Sequence, residues 1–213
     1  MQYLLDTLQT VTFDNIYHEH LSYFSTLSLC EFFKQYNMEL FHIEKVNTHG
    51  GSLRVFIKNK SSNIEIDKSV DDQIKIEIER GLNTINPYLE FNSKITQRRK
   101  ALIKTLNEIK NNNLKIAGYG APAKATTLLN FFGIDNKILD YIIEDNELKH
   151  GREIPGTSIP IVSKAEIENN PPDFILILAW NFSKEIIDNN KNLLSKGIKF
   201  IELGEKITIH DGS

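Results

Sequence analysis

The sequence predicts an α/β protein, and two observations carry that expectation. From Leu114 onward, apolar runs of strand length alternate with glycine turns and helix-period segments. The expected strands cover 114–119, 138–143, 173–179 and 198–203, and the expected helices 122–132, 163–168 and 183–196. The run Phe174-Ile175-Leu176-Ile177-Leu178-Ala179 is apolar at every position, the pattern of a parallel strand covered by helices on both faces. Together they predict a small doubly wound parallel sheet of Rossmann type over residues 113–213.

The segment ahead of it reads as α/β followed by a helical linker. Ser25 is placed to cap a helix over 25–37 that sets Leu29, Cys30, Phe33 and Tyr36 on one face, so Cys30 reads as a small core residue and not as a nucleophile. Residues 38–46 alternate apolar and polar, Gly50-Gly51-Ser52 interrupts, and Leu53–Ile57 resume. This predicts an antiparallel pair of strands. Residues 60–72 are polar and read as a linker. Ile74, Ile78, Leu82, Ile85 and Leu89 then recur at helical spacing, in a helix that Pro87 should end or kink. A second helical run carries Ile95, Leu102, Leu106 and Ile109 and stops at Asn111-Asn112-Asn113; Arg98-Arg99-Lys100 reads as its solvated face. The expected divisions are 1–60, 61–112 and 113–213.

Composition excludes several classes of function. The 213 residues are 40% hydrophobic and 25% charged, the profile of a globular protein. The net charge is −3, from 25 basic and 28 acidic residues, so nucleic-acid binding has no electrostatic support. No apolar run approaches the roughly 18 residues of a membrane span, and no signal-peptide pattern opens the chain, so a cytoplasmic protein off the membrane is expected. Cys30 is the only cysteine, which rules out an internal disulfide and a cysteine metal cluster.

Chemistry concentrates in two places. The first is Phe13-Asp14-Asn15-Ile16-Tyr17-His18-Glu19-His20-Leu21-Ser22-Tyr23-Phe24, which has no helical period and reads as an extended loop. Tyr, Glu and His are proton-moving side chains. In an extended chain Tyr17 and Glu19 share one face and His18 and His20 the other, so a turn is needed to bring Glu19 and His20 onto one atom. A loop whose polar groups only satisfy backbone is the alternative, and a metal site on His18 and His20 is a third reading that lacks further ligands. His49, ahead of two glycines, reads as a turn residue.

The second place is Gly118-Tyr119-Gly120-Ala121-Pro122-Ala123, which fits G-x-G-x-x-A between an expected strand and an expected helix. Glycines let a phosphate approach the free N–H groups of a helix start. Lys124 adds charge, and Glu144 and Asp145 end the next strand, where an acid can hold a ribose hydroxyl. The turn reads as a nucleotide site, against a tight strand–helix turn without ligand. Trp180 and Asn181 follow the buried strand at its carboxyl end, where such sheets bind ligands; simple packing is the other reading of Trp180.

Taken together, several segments resemble the S-adenosylmethionine-dependent sugar C-methyltransferases that act on nucleotide-linked deoxysugars. They are Tyr3–Asp6, Phe13-Asp14 through Tyr23-Phe24, Thr48–Arg54, Gly118–Lys124, Asp145 through Gly151, Pro155-Gly156-Thr157 and Ala179–Phe182. They stand in the family's order and span nearly the whole chain. The resemblance implies that 1–60 correspond to the end of a class I methyltransferase domain and 113–213 to the family's C-terminal Rossmann-like domain. It implies His20 as the base that removes a proton beside a sugar ketone, Glu19 as its helper and Tyr17 on the ketone oxygen. It also implies Gly118, Gly120, Ala121, Lys124, Asp145, Trp180 and Asn181 around a sugar nucleotide, dTDP-linked or similar.

Family members also carry a zinc-binding module and a central methyltransferase domain. This sequence has neither a four-cysteine pattern nor an upstream glycine-rich turn. The chain is therefore expected to lack metal, to be inactive alone, to leave S-adenosylmethionine mainly to another domain, and to associate with a methyltransferase half or with itself. The alternative is a non-catalytic nucleotide- or NAD-binding module.

Overall fold

The computed structural model describes residues 1–46, 51–204 and 206–212. His49 and Gly50 lie outside the described residues. The chain divides into two compact units, one of residues 1–13 and 18–95, the other of residues 14–17 and 96–213.

In the first unit, α1 (Leu4–Thr10) is followed by α2 (Thr26–Lys34), and Ser25 begins α2 through a reciprocal capping box with Ser28. Leu29 is buried, Cys30 and Phe33 pack half-buried on the same cluster, and Tyr36 lies exposed beyond the helix. Burial, followed by Glu77, Glu31 and Asp71, pushes the Cys30 thiol up, which suits a packing role. β1 (Met38–Val46) and β2 (Ser52–Asn59) pair antiparallel, with a bulge between Leu40 and His42. α3 (Lys68–Glu79) starts at Asp67, whose carboxylate accepts from the Ser69 N–H.

Tyr3, Leu5, Leu8, Leu29, Leu40, Ile43, Leu53, Val70 and Leu82 form this unit's core. Glu77 of α3 sits inside it, fully buried, with its two oxygens accepting from the Thr26 N–H at 2.7 Å and the Leu27 N–H at 2.9 Å. A carboxylate from one helix thereby caps the start of another.

The expected helix through Leu89 is broken. α3 stops at Glu79, and α4 (Asn86–Asn111) begins with Pro87 in its first turn. Proline has no N–H to give to a helix interior, but at the first turn none is required, so Pro87 opens a helix instead of ending one. Ile78, Ile85 and Leu89 are exposed as a result. The boundary between the units falls within α4, after Ile95.

In the second unit, α4 buries Leu102, Leu106 and Ile109 and ends at the expected asparagines. The chain continues with β3 (Ile116–Tyr119), α5 (Ala123–Phe132), β4 (Tyr141–Ile143), β5 (Glu153–Ile154), β6 (Ile159–Val162), α6 (Glu166–Asn169) and β7 (Phe174–Ile177). It finishes with α7 (Ser183–Asn189), α8 (Lys191–Ser195), β8 (Lys199–Leu203) and β9 (Ile207–His210). The seven-stranded sheet runs β5-β6-β4-β3-β7-β8-β9. Its β6-β4-β3-β7-β8 centre is parallel and both edges are antiparallel, which is the expected doubly wound α/β sheet.

Two expected helices differ. The segment 163–168 contracts to α6, and 183–196 splits into α7 and α8 at buried Asn190, whose Nδ2 donates to the Ile186 carbonyl at 2.7 Å. β5, β6 and β9 had no sequence expectation. Pro160 argues against a strand, yet it fits β6 opposite Glu153 of the two-residue edge β5.

Gly118 lies where β3 passes between its neighbours: a Cβ there meets Ile142 Cγ1 at 2.8 Å and Leu178 Cδ1 at 2.9 Å. Gly118→Ala should therefore destabilise the unit by about 1–3 kcal/mol through overpacking. Denaturant unfolding checks this, and an unchanged midpoint contradicts it. Among the described residues, no helix is long and apolar enough to cross a membrane.

Candidate functional site

The chain leaves β3 through α5 to reach β4 and β6 on one side, then returns to β7 on the other. The carboxyl ends of β3 and β7 therefore face diverging connections, and a crevice opens there. A cleft of about 340 Å³ occupies it. Tyr119, Gly120 and Pro122 form one wall, and Glu144, Asp145 and Lys149 follow β4. Phe182, Glu185, Ile186 and Asn190 close the far side.

Gly120 has φ +87°, and a Cβ on it would meet the Ala179 Cβ at 2.8 Å. Glycine is thus needed for both the conformation and the close passage against the end of β7. Gly118 is interior to the sheet, and Ala121 is buried at the turn. The Ala121 N–H donates to Glu144 Oε2 at 2.7 Å, while the Asn146 N–H donates to Glu144 Oε1 at 3.0 Å. Lys149 Nζ donates to Glu144 Oε2 at 3.2 Å and to the Ala121 carbonyl at 2.9 Å. Burial alone raises the Glu144 carboxyl, but these donors outweigh it and hold the group below its usual range. The helix start that suits a phosphate thus holds a carboxylate of its own chain, with an ammonium beside it. Tyr119 Oη donates to the Asp145 carboxylate, at 3.1 Å from each oxygen.

Lys124 and Trp180 turn elsewhere. Lys124 is 9% exposed, and its Nζ stands 4.5 Å from the centre of the Trp180 ring. Trp180 Nε1 donates to Asp14 Oδ2. Asp14 is 3% exposed. Burial pushes its carboxyl up, opposed by the Trp180 bond and Lys124, and burial pushes the Lys124 ammonium down. Asn181 is exposed on a shallow surface beside Phe182 and Lys184.

The loop at 13–24 is not extended. Phe13–Asn15 form a 3₁₀ turn, the Tyr17 N–H donates to the Asn15 carbonyl at 3.0 Å, and His18-Glu19 turn again. Buried Asp14 and Asn15 fold the chain back, so the alternating faces of an extended strand do not arise. His18 Nε2 and Glu19 Oε1 lie 3.8 Å apart, both exposed. Tyr17 belongs to the second unit; Glu19 and His20 belong to the first. There they line a groove of about 460 Å³ with Gln2, Ser22, Phe24 and Ser52. Among the described residues no group of three or more His, Cys, Asp or Glu side chains is placed to hold a metal.

Sequence reasoning missed Lys149 and Asp14. Lys149 had a signal, five residues past Glu144 in the loop after an expected strand. Asp14 had none, because its partner is 166 residues away.

A family model described as the C-methyltransferase C-terminal domain matches residues 47–203. The C-methyltransferase NovU of Streptomyces niveus is 34% identical over 199 residues, 93% of this chain and 47% of the relative. The chain belongs to the C-methyltransferase family. The matched residues take in β2 through β8, and with them the cleft at the sheet's switch point. The chain spans about half the length of the curated relative it matches.

Proposed function

We infer that the chain is the acceptor-binding and proton-abstracting part of a cytoplasmic, S-adenosylmethionine-dependent C-methyltransferase whose acceptor is a nucleotide-linked keto-deoxysugar. The cleft at the sheet's switch point supports this most: one wall is a glycine turn, with a lysine and carboxylates at the mouth. Asp145 can accept from a hydroxyl of the nucleoside sugar, and Phe182 offers a ring face for the base. In this reading Lys149 gives its ammonium to a phosphate, and the phosphate takes over the Ala121 N–H as Glu144 withdraws.

Bond formation at carbon needs a carbanion-like acceptor. The sugar ketone makes the neighbouring C–H acidic. His20 takes that proton, the electron pair moves into the enolate, and Tyr17 donates to its oxygen while Glu19 supports the charged imidazole. The family's methyl donor is S-adenosylmethionine. The first unit has an antiparallel pair of strands, and among its described residues no strand–glycine turn–helix cradle suits an adenosyl group. We therefore assign none of the first unit's described residues to the donor. The partner in this reading is a methyltransferase segment that binds it.

Calorimetry with dTDP and with NAD tests the ligand. Binding of dTDP in the cleft, lost in Lys149→Ala, is expected. Tight NAD binding with no response to dTDP would overturn the sugar-nucleotide reading and favour a nucleotide-binding module without catalysis.

A further inference from the structure

Asp14 is a buried carboxylate that the proposed chemistry does not use, and its surroundings are specific. The Trp180 indole donates to it, and the Lys124 ammonium covers the same indole ring. Asp14 also opens the short segment 14–17 that packs with the second unit and carries Tyr17. Further bonds hold that segment. Thr127 Oγ1 of α5 donates to the Ile16 carbonyl at 3.5 Å, and the Tyr17 N–H donates to the Asn15 carbonyl at 3.0 Å. Lys124 and Thr127 both belong to α5, the helix that the glycine turn begins.

An indole on a buried carboxylate is a poor device for binding a ligand, since both polar groups are already satisfied by each other. It is a good device for fixing a backbone. A buried charge released from its partners is costly, so the segment has one favoured seat. A cation stacked on the ring holds the indole plane, and with it the direction of the N–H.

We propose that Asp14, Trp180 and Lys124 form a clamp that positions Tyr17 on the sugar-nucleotide-binding unit, Trp180 and Lys124 acting through Asp14 as positioning residues without touching the nucleotide. This rests on the reading of Tyr17 as the donor to the ketone oxygen. The clamp ties Tyr17 to the helix that the nucleotide turn begins, so bound nucleotide and ketone donor share one rigid reference. A displacement of the donor by about 1 Å is enough to cost on the order of 10²-fold in rate.

Trp180→Phe removes the N–H and leaves a ring under Lys124, and Asp14→Ala is the second variant. In the 213-residue chain, amide hydrogen exchange at residues 14–17 should quicken at least about tenfold in both, with β3 and β7 unchanged. Calorimetry should find dTDP affinity within about twofold of the parent. With dTDP-4-keto-6-deoxyglucose as probe, exchange of the acidic C–H with solvent should fall in Trp180→Phe. It should fall no further when Tyr17→Phe is added, because both changes remove one function.

Unchanged protection of 14–17 in both variants overturns the clamp. So does a loss of dTDP affinity beyond about tenfold in Trp180→Phe, which would make Trp180 a ligand contact. Parent-like C–H exchange in Tyr17→Phe overturns the reading of Tyr17 alone; the seating of 14–17 is then still decided by the amide data.

Discussion

His20→Ala, and separately Glu19→Gln, should each lower turnover of the intact enzyme by at least about 10²-fold, the usual contribution of a positioned base. Nucleotide affinity should stay within about twofold, because the nucleotide anchor we propose, Lys149, Asp145 and the glycine turn, belongs to the other unit. Glu19 and His20 share the wall of one groove, and His20 is half-buried while Glu19 is exposed. His18 lies 3.8 Å from Glu19 and makes a useful control. If His18→Ala shows the loss and His20→Ala keeps parent turnover, the base is His18 and not His20. Steady-state kinetics paired with calorimetry separates the two quantities.

The second large effect is on folding. Glu77→Ala should destabilise the first unit by about 3 kcal/mol, since it leaves the buried Thr26 N–H and the half-buried Leu27 N–H without their acceptor and opens a void. The donors are Thr26 and Leu27 at the start of α2, and the carboxylate has no exposure to recover solvation elsewhere. Glu77→Gln keeps one acceptor oxygen and should cost less. Denaturant unfolding monitored at α2 and α3 checks the order of the two variants. Equal stability of parent and Glu77→Ala contradicts the capping account.

Glu77 also marks what a sequence can and cannot disclose. Within α3 it reads as one more acid on a polar helix, and only the packing of α3 against α2 shows it to be a cap. Local signals did well. The Ser25 cap, the bounds of β1, the end of α4 at Asn111 and the strand–turn–helix at Gly118–Ala123 all depend on neighbours within a few residues. The break between α3 and α4 was hidden because Ile85 and Leu89 continue the helical period across a turn where they remain exposed. β6 was hidden by Pro160, whose missing N–H is harmless only beside a two-residue edge strand.

At the site, the glycine turn was legible and its occupant was not. That Glu144 reaches back to the Ala121 N–H depends on the parallel pairing of β3 with β4. Lys124 sits one residue past the motif and reads as a phosphate ligand, but the Asp14–Trp180 pair draws it to the indole ring. The loop at 13–24 was read correctly as irregular, yet its 3₁₀ turn follows from burial of Asp14 and Asn15, a tertiary fact.

The central claim is that this chain carries both the nucleotide site and the base that acts on the attached sugar. Proton NMR of dTDP-4-keto-6-deoxyglucose in deuterium oxide tests it most directly, with no methyl donor present. The account predicts that the 213-residue chain accelerates loss of the signal from a carbon beside the ketone, and that His20→Ala removes the acceleration while dTDP still binds. A chain that binds dTDP and leaves that signal at the buffer rate, or a His20→Ala variant that exchanges it as fast as the parent, would contradict the account.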